Sequence, residues 1–198
     1  TPHTGVSVPE NDLENAAMLG NTFAINHCFM ASFSSNFPLS RFTARWAVDL
    51  EAGRIPMLSV FAGDAYNSAD LTSFGAGGFD SDVDALAQAM AAFGHPMFLR
   101  FGWEMDLSGH FSGFSTTTAK QSAYKQAFLH MHNKLVSNGA TNVAMVWCPS
   151  QLAFGPNGTG VAPGYYPNDT AVDWVGVDGY ARPSGSADTP DFTSLFLN

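Results

Sequence analysis

The run Phe98-Leu-Arg-Phe-Gly-Trp-Glu-Met-Asp106 carries the residue types best suited to chemistry. An apolar stretch delivers one carboxylate, Glu104, with Trp103 directly before it and Arg100 four residues upstream. Read as a strand over residues 96–104, alternation places Arg100, Gly102 and Glu104 on one face and Leu99, Phe101 and Trp103 on the other. A carboxylate at the mouth of a buried strand is costly to the fold and useful as an acid or base, because an apolar surrounding favours its neutral form. The competing structural reading is an ion pair between Glu104 and Arg100. Further polar and aromatic residues gather where other strands should end: Asp64 with Tyr66, Asp106, Trp147 with Ser150, and Asp178 with Tyr180.

The elements that must hold these residues alternate along the chain. Strand-like runs cover residues 5–8, 22–29, 56–62, 96–104, 142–148 and 173–180. Helix-like runs lie between them. The first covers 12–19, and a second over 40–52 has Phe42, Trp46, Val48 and Leu50 toward one side and a stop at Gly53. A third carries Val83, Leu86, Ala87, Met90 and Phe93, with Ser81-x-x-Asp84 as a capping box and Gly94 as its end. A fourth carries Tyr124, Ala127, Phe128, Met131 and Leu135 before Gly139. His130 and His132, two apart, face different sides of that helix and make no metal pair. Gly75-Ala-Gly-Gly78 reads as a plain turn, Trp174 as core, and residues 149–170 as a long loop of the kind that borders sites.

Repeated strand–helix units specify parallel α/β architecture, either a (β/α)8 barrel or a doubly wound sheet. Val8-Pro-Glu-Asn11 stands where a phosphate-binding glycine loop would follow the first strand, which disfavours the nucleotide-binding sheet. Chemistry-bearing residues at the C-terminal ends of strands favour the barrel. The 198 residues form one domain, with 45% hydrophobic and 13% charged residues and a net charge of −9. That charge disfavours nucleic acid and anionic membrane surfaces as partners. No run reaches membrane-spanning length. No leader pattern is present, and a start at Thr1 is compatible with one already removed. Cys28 and Cys148 leave a disulfide and two buried thiols both open, and two cysteines cannot build a structural zinc site.

Three segments in order resemble glycoside hydrolase family 26, a β-mannanase family of the retaining (β/α)8 clan. Arg100-Phe-Gly-Trp-Glu-Met-Asp106 is similar to the family's Arg-x-x-His-Glu-Met-Asn on the fourth strand. Gly139-Ala-Thr-Asn-Val-Ala-Met-Val-Trp147 is similar to its fifth-strand segment. Tyr165-Tyr-Pro-Asn-Asp169, followed by Val172-Asp-Trp-Val-Gly-Val-Asp-Gly-Tyr180, is similar to its sixth, and Gly78-Phe-Asp80 also fits. Trp103 replaces the family's His, Asp106 replaces its Asn, and His110 stands near the place of a downstream aromatic residue.

The resemblance implies a TIM-type barrel of which residues 1–198 hold the first six β/α units, a single domain incomplete at its C-terminus. It implies a secreted enzyme of polysaccharide degradation that cleaves a β-linked polysaccharide, β-mannan first, by retaining double displacement. Glu104 would be the acid/base. The nucleophile Glu is expected beyond residue 198, since no Glu follows Glu104. Arg100, Trp103, Asp106, Trp147, Asp178, Tyr180 and Asp64 would bind substrate or support the site, with Trp147 stacking on a sugar ring. No cofactor or metal is implied. The partner is a poly- or oligosaccharide, and a second chain or a missing C-terminal segment would complete the barrel. The sequons at Asn157 and Asn168 matter if the source is eukaryotic. The alternative is a non-catalytic carbohydrate-binding or structural glycoprotein domain derived from such a barrel.

Overall fold

A computed structural model describes residues 24–30, 33, 39–63, 68–154 and 159–179. Its strands are β1 Ile25–Met30, β2 Ile55–Val60, β3 Met97–Phe101, β4 Val143–Trp147 and β5 Trp174–Val175. The helices between them are α1 Leu39–Glu51, α2 Ser68–Gly75, α3 Asp80–Phe93, α4 Thr117–Ser137 and α5 Ala162–Tyr165. The strand expected at 5–8 and the helix expected at 12–19 lie outside the described residues.

All neighbouring strands pair in parallel, in the order β1-β2-β3-β4-β5. A doubly wound sheet reverses its strand order part-way; this one advances one strand at a time, as a barrel does. The two faces of the sheet differ sharply. Leu58, Val60, Leu99, Phe101, Met145 and Trp147 point toward the helices and are buried. They meet Phe74, Val83, Leu86, Met90, Tyr124, Phe128 and Met131 in one core. The opposite, concave face carries His27, Phe29, Ser59, Phe98, Arg100, Val146 and Trp174, which fall in register across the sheet.

Several local expectations change. In α1 the buried positions are Trp46 and Asp49, while Val48 and Leu50 are exposed. Asp49 is drawn inward by Arg54 at 3.0 Å and by Asn26, which donates to it at 2.6 Å. The capping box does not form: α3 starts after Phe79 with no side-chain cap, and Asp84 instead accepts from Lys134 and Asn138 of α4. Interhelical pairing outcompetes the local cap. Gly94 does close α3, in the left-handed conformation at φ 68°. The turn at residues 76–79 is present, but α2 before it was not foreseen: its eight residues are too few to show a period, with only Leu71 and Phe74 buried. Trp174 is 60% exposed rather than core, because it lies on the concave face of a terminal strand of the described sheet, where it meets Phe98 edge-on.

Candidate active site

The site is built at the C-terminal end of β3, where the strand stops earlier than its apolar sequence implies. Gly102 and Glu104 both adopt left-handed backbone, at φ 57° and 51°. The period-two alternation therefore ends at Phe101, and Glu104 sits on a turn rather than on the strand. Two hydrogen bonds hold that turn across the barrel mouth. Gly102 N–H donates to the Val60 carbonyl at 2.8 Å, and Glu104 N–H donates to the Cys148 carbonyl at 2.8 Å. Gly102 is needed for space as well as for φ, since a Cβ there would stand 3.0 Å from Cε2 of buried Tyr124. Gly102→Ala is expected to cost about 1–2 kcal/mol from the backbone alone. Urea denaturation measures this, and a variant as stable as the parent would show that the turn relaxes freely.

The Glu104 side chain is half-buried. Burial pushes its carboxyl above the usual range, and the negative charges of Asp178 and Asp106 push it further; His110 and Arg100 pull the other way. His110 Nδ1 fixes the same turn, lying 3.1 Å from the Glu104 carbonyl and 3.3 Å from that of Trp103.

Arg100 does not form the ion pair with Glu104 that was the structural alternative. Its Nη1 donates to both oxygens of Asp178 at 2.7 Å and its Nε to Ser59 Oγ at 2.7 Å. The guanidinium also lies 5.0 Å from the Trp103 ring and 5.6 Å from Phe29. Trp103 stacks on Phe61 with ring centres 3.7 Å apart, so it covers Arg100 on the concave side. Asp106 ties the turn to the loop after β4, accepting from the backbone N–H and the hydroxyl of Ser150. Beneath the turn, Lys120 Nζ donates to the Leu107 carbonyl at 2.8 Å, and burial lowers its ammonium pKa to about 8.

Arg100, Trp103, Glu104, Asp106 and Asp178 are thus brought together. Trp147 is not on their face. It is 4% exposed on the helix side, against Phe154 and Tyr166. Asp64 and Tyr180 lie outside the described residues, as does the sequon at Asn157. Asn168 accepts from the backbone N–H of Thr170 and Ala171, capping a turn. Both cysteines are free thiols: Cys28 points to the helix side, and Cys148 lies 3.4 Å from Asp178 on the concave side. Sequence reasoning missed Ser59 and His27, which join Arg100 in one polar chain. A serine inside the apolar run Ile55–Val60 was the available signal.

No family model matches the chain. By structure it is similar to the Bacillus subtilis mannanase man26, with a TM-score of 0.71 and 17% identity, over 90% of this chain and 61% of that one. The fold is that of the family 26 β-mannanases. By sequence the chain is similar to a β-1,3-xylanase of a Vibrio species, 28% identical over 131 residues, which is 66% of this chain and 26% of the xylanase. It is also similar to endoglucanase H of Acetivibrio thermocellus, 34% identical over 124 residues, or 58% of this chain and 12% of that protein. The chain therefore spans about a quarter or less of the length of these curated relatives. Their names are those of glycoside hydrolases acting on β-glycans. Among the described residues no helix is long and apolar enough to cross a membrane.

Proposed function

We propose that this chain carries the acid/base half of a retaining glycosidase acting outside the cell on a β-linked polysaccharide, β-mannan first. The supporting observation is Glu104: a half-buried carboxyl on a left-handed turn at the C-terminal mouth of the sheet, with its pKa raised by burial and by two neighbouring carboxylates. A general acid must hold its proton toward neutral pH and deliver it at a fixed place; that environment shifts the carboxyl in the direction the first demand requires, and the turn supplies the second.

In this reading Glu104 protonates the departing glycosidic oxygen. A second carboxylate about 5–5.5 Å away attacks the anomeric carbon, and Glu104 then takes a proton from the water that releases the sugar. Asp178 is assigned a different role in this reading, as the counter-charge of Arg100. In this reading the nucleophile is a glutamate outside residues 1–198. Trp103 and Phe29 supply apolar surface next to the reacting bond, and Asp106 holds the loop that borders it.

Mannan, β-1,3-xylan and β-1,4-glucan incubated with the protein at its natural length separate the substrate classes, and proton NMR of the first-formed anomer reads the stereochemistry. The expected result is preferential mannan cleavage with net retention. Inversion would overturn the retaining mechanism, and binding of all three without turnover would overturn the enzymatic reading in favour of the binding domain.

A further inference from the structure

The concave face holds a polar chain that the acid/base reading does not use. His27 Nε2 on β1 lies 2.6 Å from Ser59 Oγ on β2. The same oxygen accepts from Arg100 Nε on β3 at 2.7 Å, and Arg100 Nη1 reaches Asp178, beyond β5, at 2.7 Å. β1, β2, β3 and the segment after β5 are thereby joined side chain to side chain. A serine hydroxyl has one proton to give. With Arg100 Nε donating to its oxygen, that proton goes to His27 Nε2 in the tautomer that carries the ring proton at Nδ1, which is the tautomer taken here.

The surroundings keep the ring neutral. Burial lowers His27 to about 4, Arg100 and then Arg45 of α1 push in the same direction, and Asp178 opposes them. Phe29 packs edge-on to the imidazole with ring centres 4.4 Å apart. His27 therefore stays neutral through the neutral and mildly acidic range, and in the Nδ1-protonated tautomer its Nε2 accepts from the Ser59 hydroxyl and sets its direction. Ser59 in turn holds Arg100 at Nε while Asp178 holds it at Nη1, so the guanidinium is clamped at two points. Both Arg100 and Asp178 act electrostatically on Glu104, with opposite sign.

We propose that His27 is a positioning residue, which acts through Ser59 and Arg100 to hold Asp178 in place and so fixes the field in which Glu104 keeps its proton. The inference rests on Glu104 being the acid/base. Loosening Arg100 removes part of the counter-charge of Asp178, and Glu104 then holds its proton to higher pH.

The test compares His27→Leu, which has no acceptor, with His27→Gln, whose amide oxygen can accept from Ser59. It uses the protein at its natural length. In His27→Leu, kcat on mannan is expected to fall about tenfold with KM changed less than about twofold, as misalignment of an acid requires. The alkaline limb of the rate profile moves up by about half a pH unit, and His27→Gln restores both. Carboxyl carbon NMR of Glu104 follows the same titration without turnover. If His27→Leu does not fold, Ser59→Ala removes the same link, and its Glu104 titration is expected to move upward. A Glu104 titration and rate profile that match the parent in His27→Leu or Ser59→Ala would overturn the proposal. An unchanged rate in Glu104→Gln would instead overturn the acid/base reading, and the NMR titration would still decide whether the chain reaches Glu104.

Discussion

Glu104→Gln is expected to lower kcat on mannan by about 10²–10⁴-fold, the span of general acid catalysis. The amide keeps the size of the side chain and the left-handed turn, and removes only the proton. Two further signs separate lost chemistry from lost folding. The alkaline limb of the rate profile disappears, because the group whose deprotonation produces it is gone. An aryl glycoside with an acidic leaving phenol, which needs little protonation, loses far less of its first step than mannan does. The sign for stability is also fixed. A carboxyl raised in the folded state contributes stability that is present below its unfolded pKa and lost as pH rises through its folded pKa. Glutamine escapes that loss, so the variant is expected to melt no lower than the parent at neutral pH. A parent-like kcat on mannan would remove Glu104 from the reaction.

Asp178→Ala should have the largest effect on stability. Arg100 and Asp178 have side-chain exposures of 7% and 18%. Removing the carboxylate leaves a buried guanidinium without its counter-charge, a change that costs about 3–5 kcal/mol in buried pairs. Urea denaturation at neutral pH measures the loss. Replacing both members by apolar residues, Arg100→Met with Asp178→Leu, is expected to recover much of it, since no charge is then stranded. The two variants also act on Glu104: Asp178→Ala removes a negative neighbour and frees the positive charge of Arg100, so Glu104 titrates lower. A single variant within about 1 kcal/mol of the parent would mean that solvent reaches Arg100 more freely than its burial indicates.

The parallel barrel order was legible in the sequence because apolar runs and helical periods alternate without ambiguity from residue 80 to 148. Glu104, Arg100 and Asp178 stand out in the sequence as candidates and the structure brings them together, but the pairing of Arg100 with Asp178 was not legible. Arg100 is four positions from Glu104 and 78 from Asp178, yet it bonds the distant one, because strand register and not sequence distance decides which side chains share a face. The same register hides His27 and Ser59, which look like isolated polar residues until β1 and β2 are laid beside β3. The end of β3 was misread for a different reason. An apolar run continues through Trp103, whereas the backbone turns at Gly102 in left-handed conformation, close enough to Tyr124 of a later helix that a Cβ there would crowd its ring. Trp147 reads as a site residue from its place at a strand end, but parity with Met145 puts it on the helix side.

The left-handed conformation of Glu104 has a consequence for how such a site is kept. A side chain with a Cβ at φ 51° costs the fold about 1–2 kcal/mol that glycine would not, and its buried carboxyl adds a further cost whenever it ionises. Folding by itself would select against glutamate at this position on both counts. On the proposed role the residue is held by use against the drift of stability: without a demand for activity, 104 is a position where the fold gains by losing its glutamate.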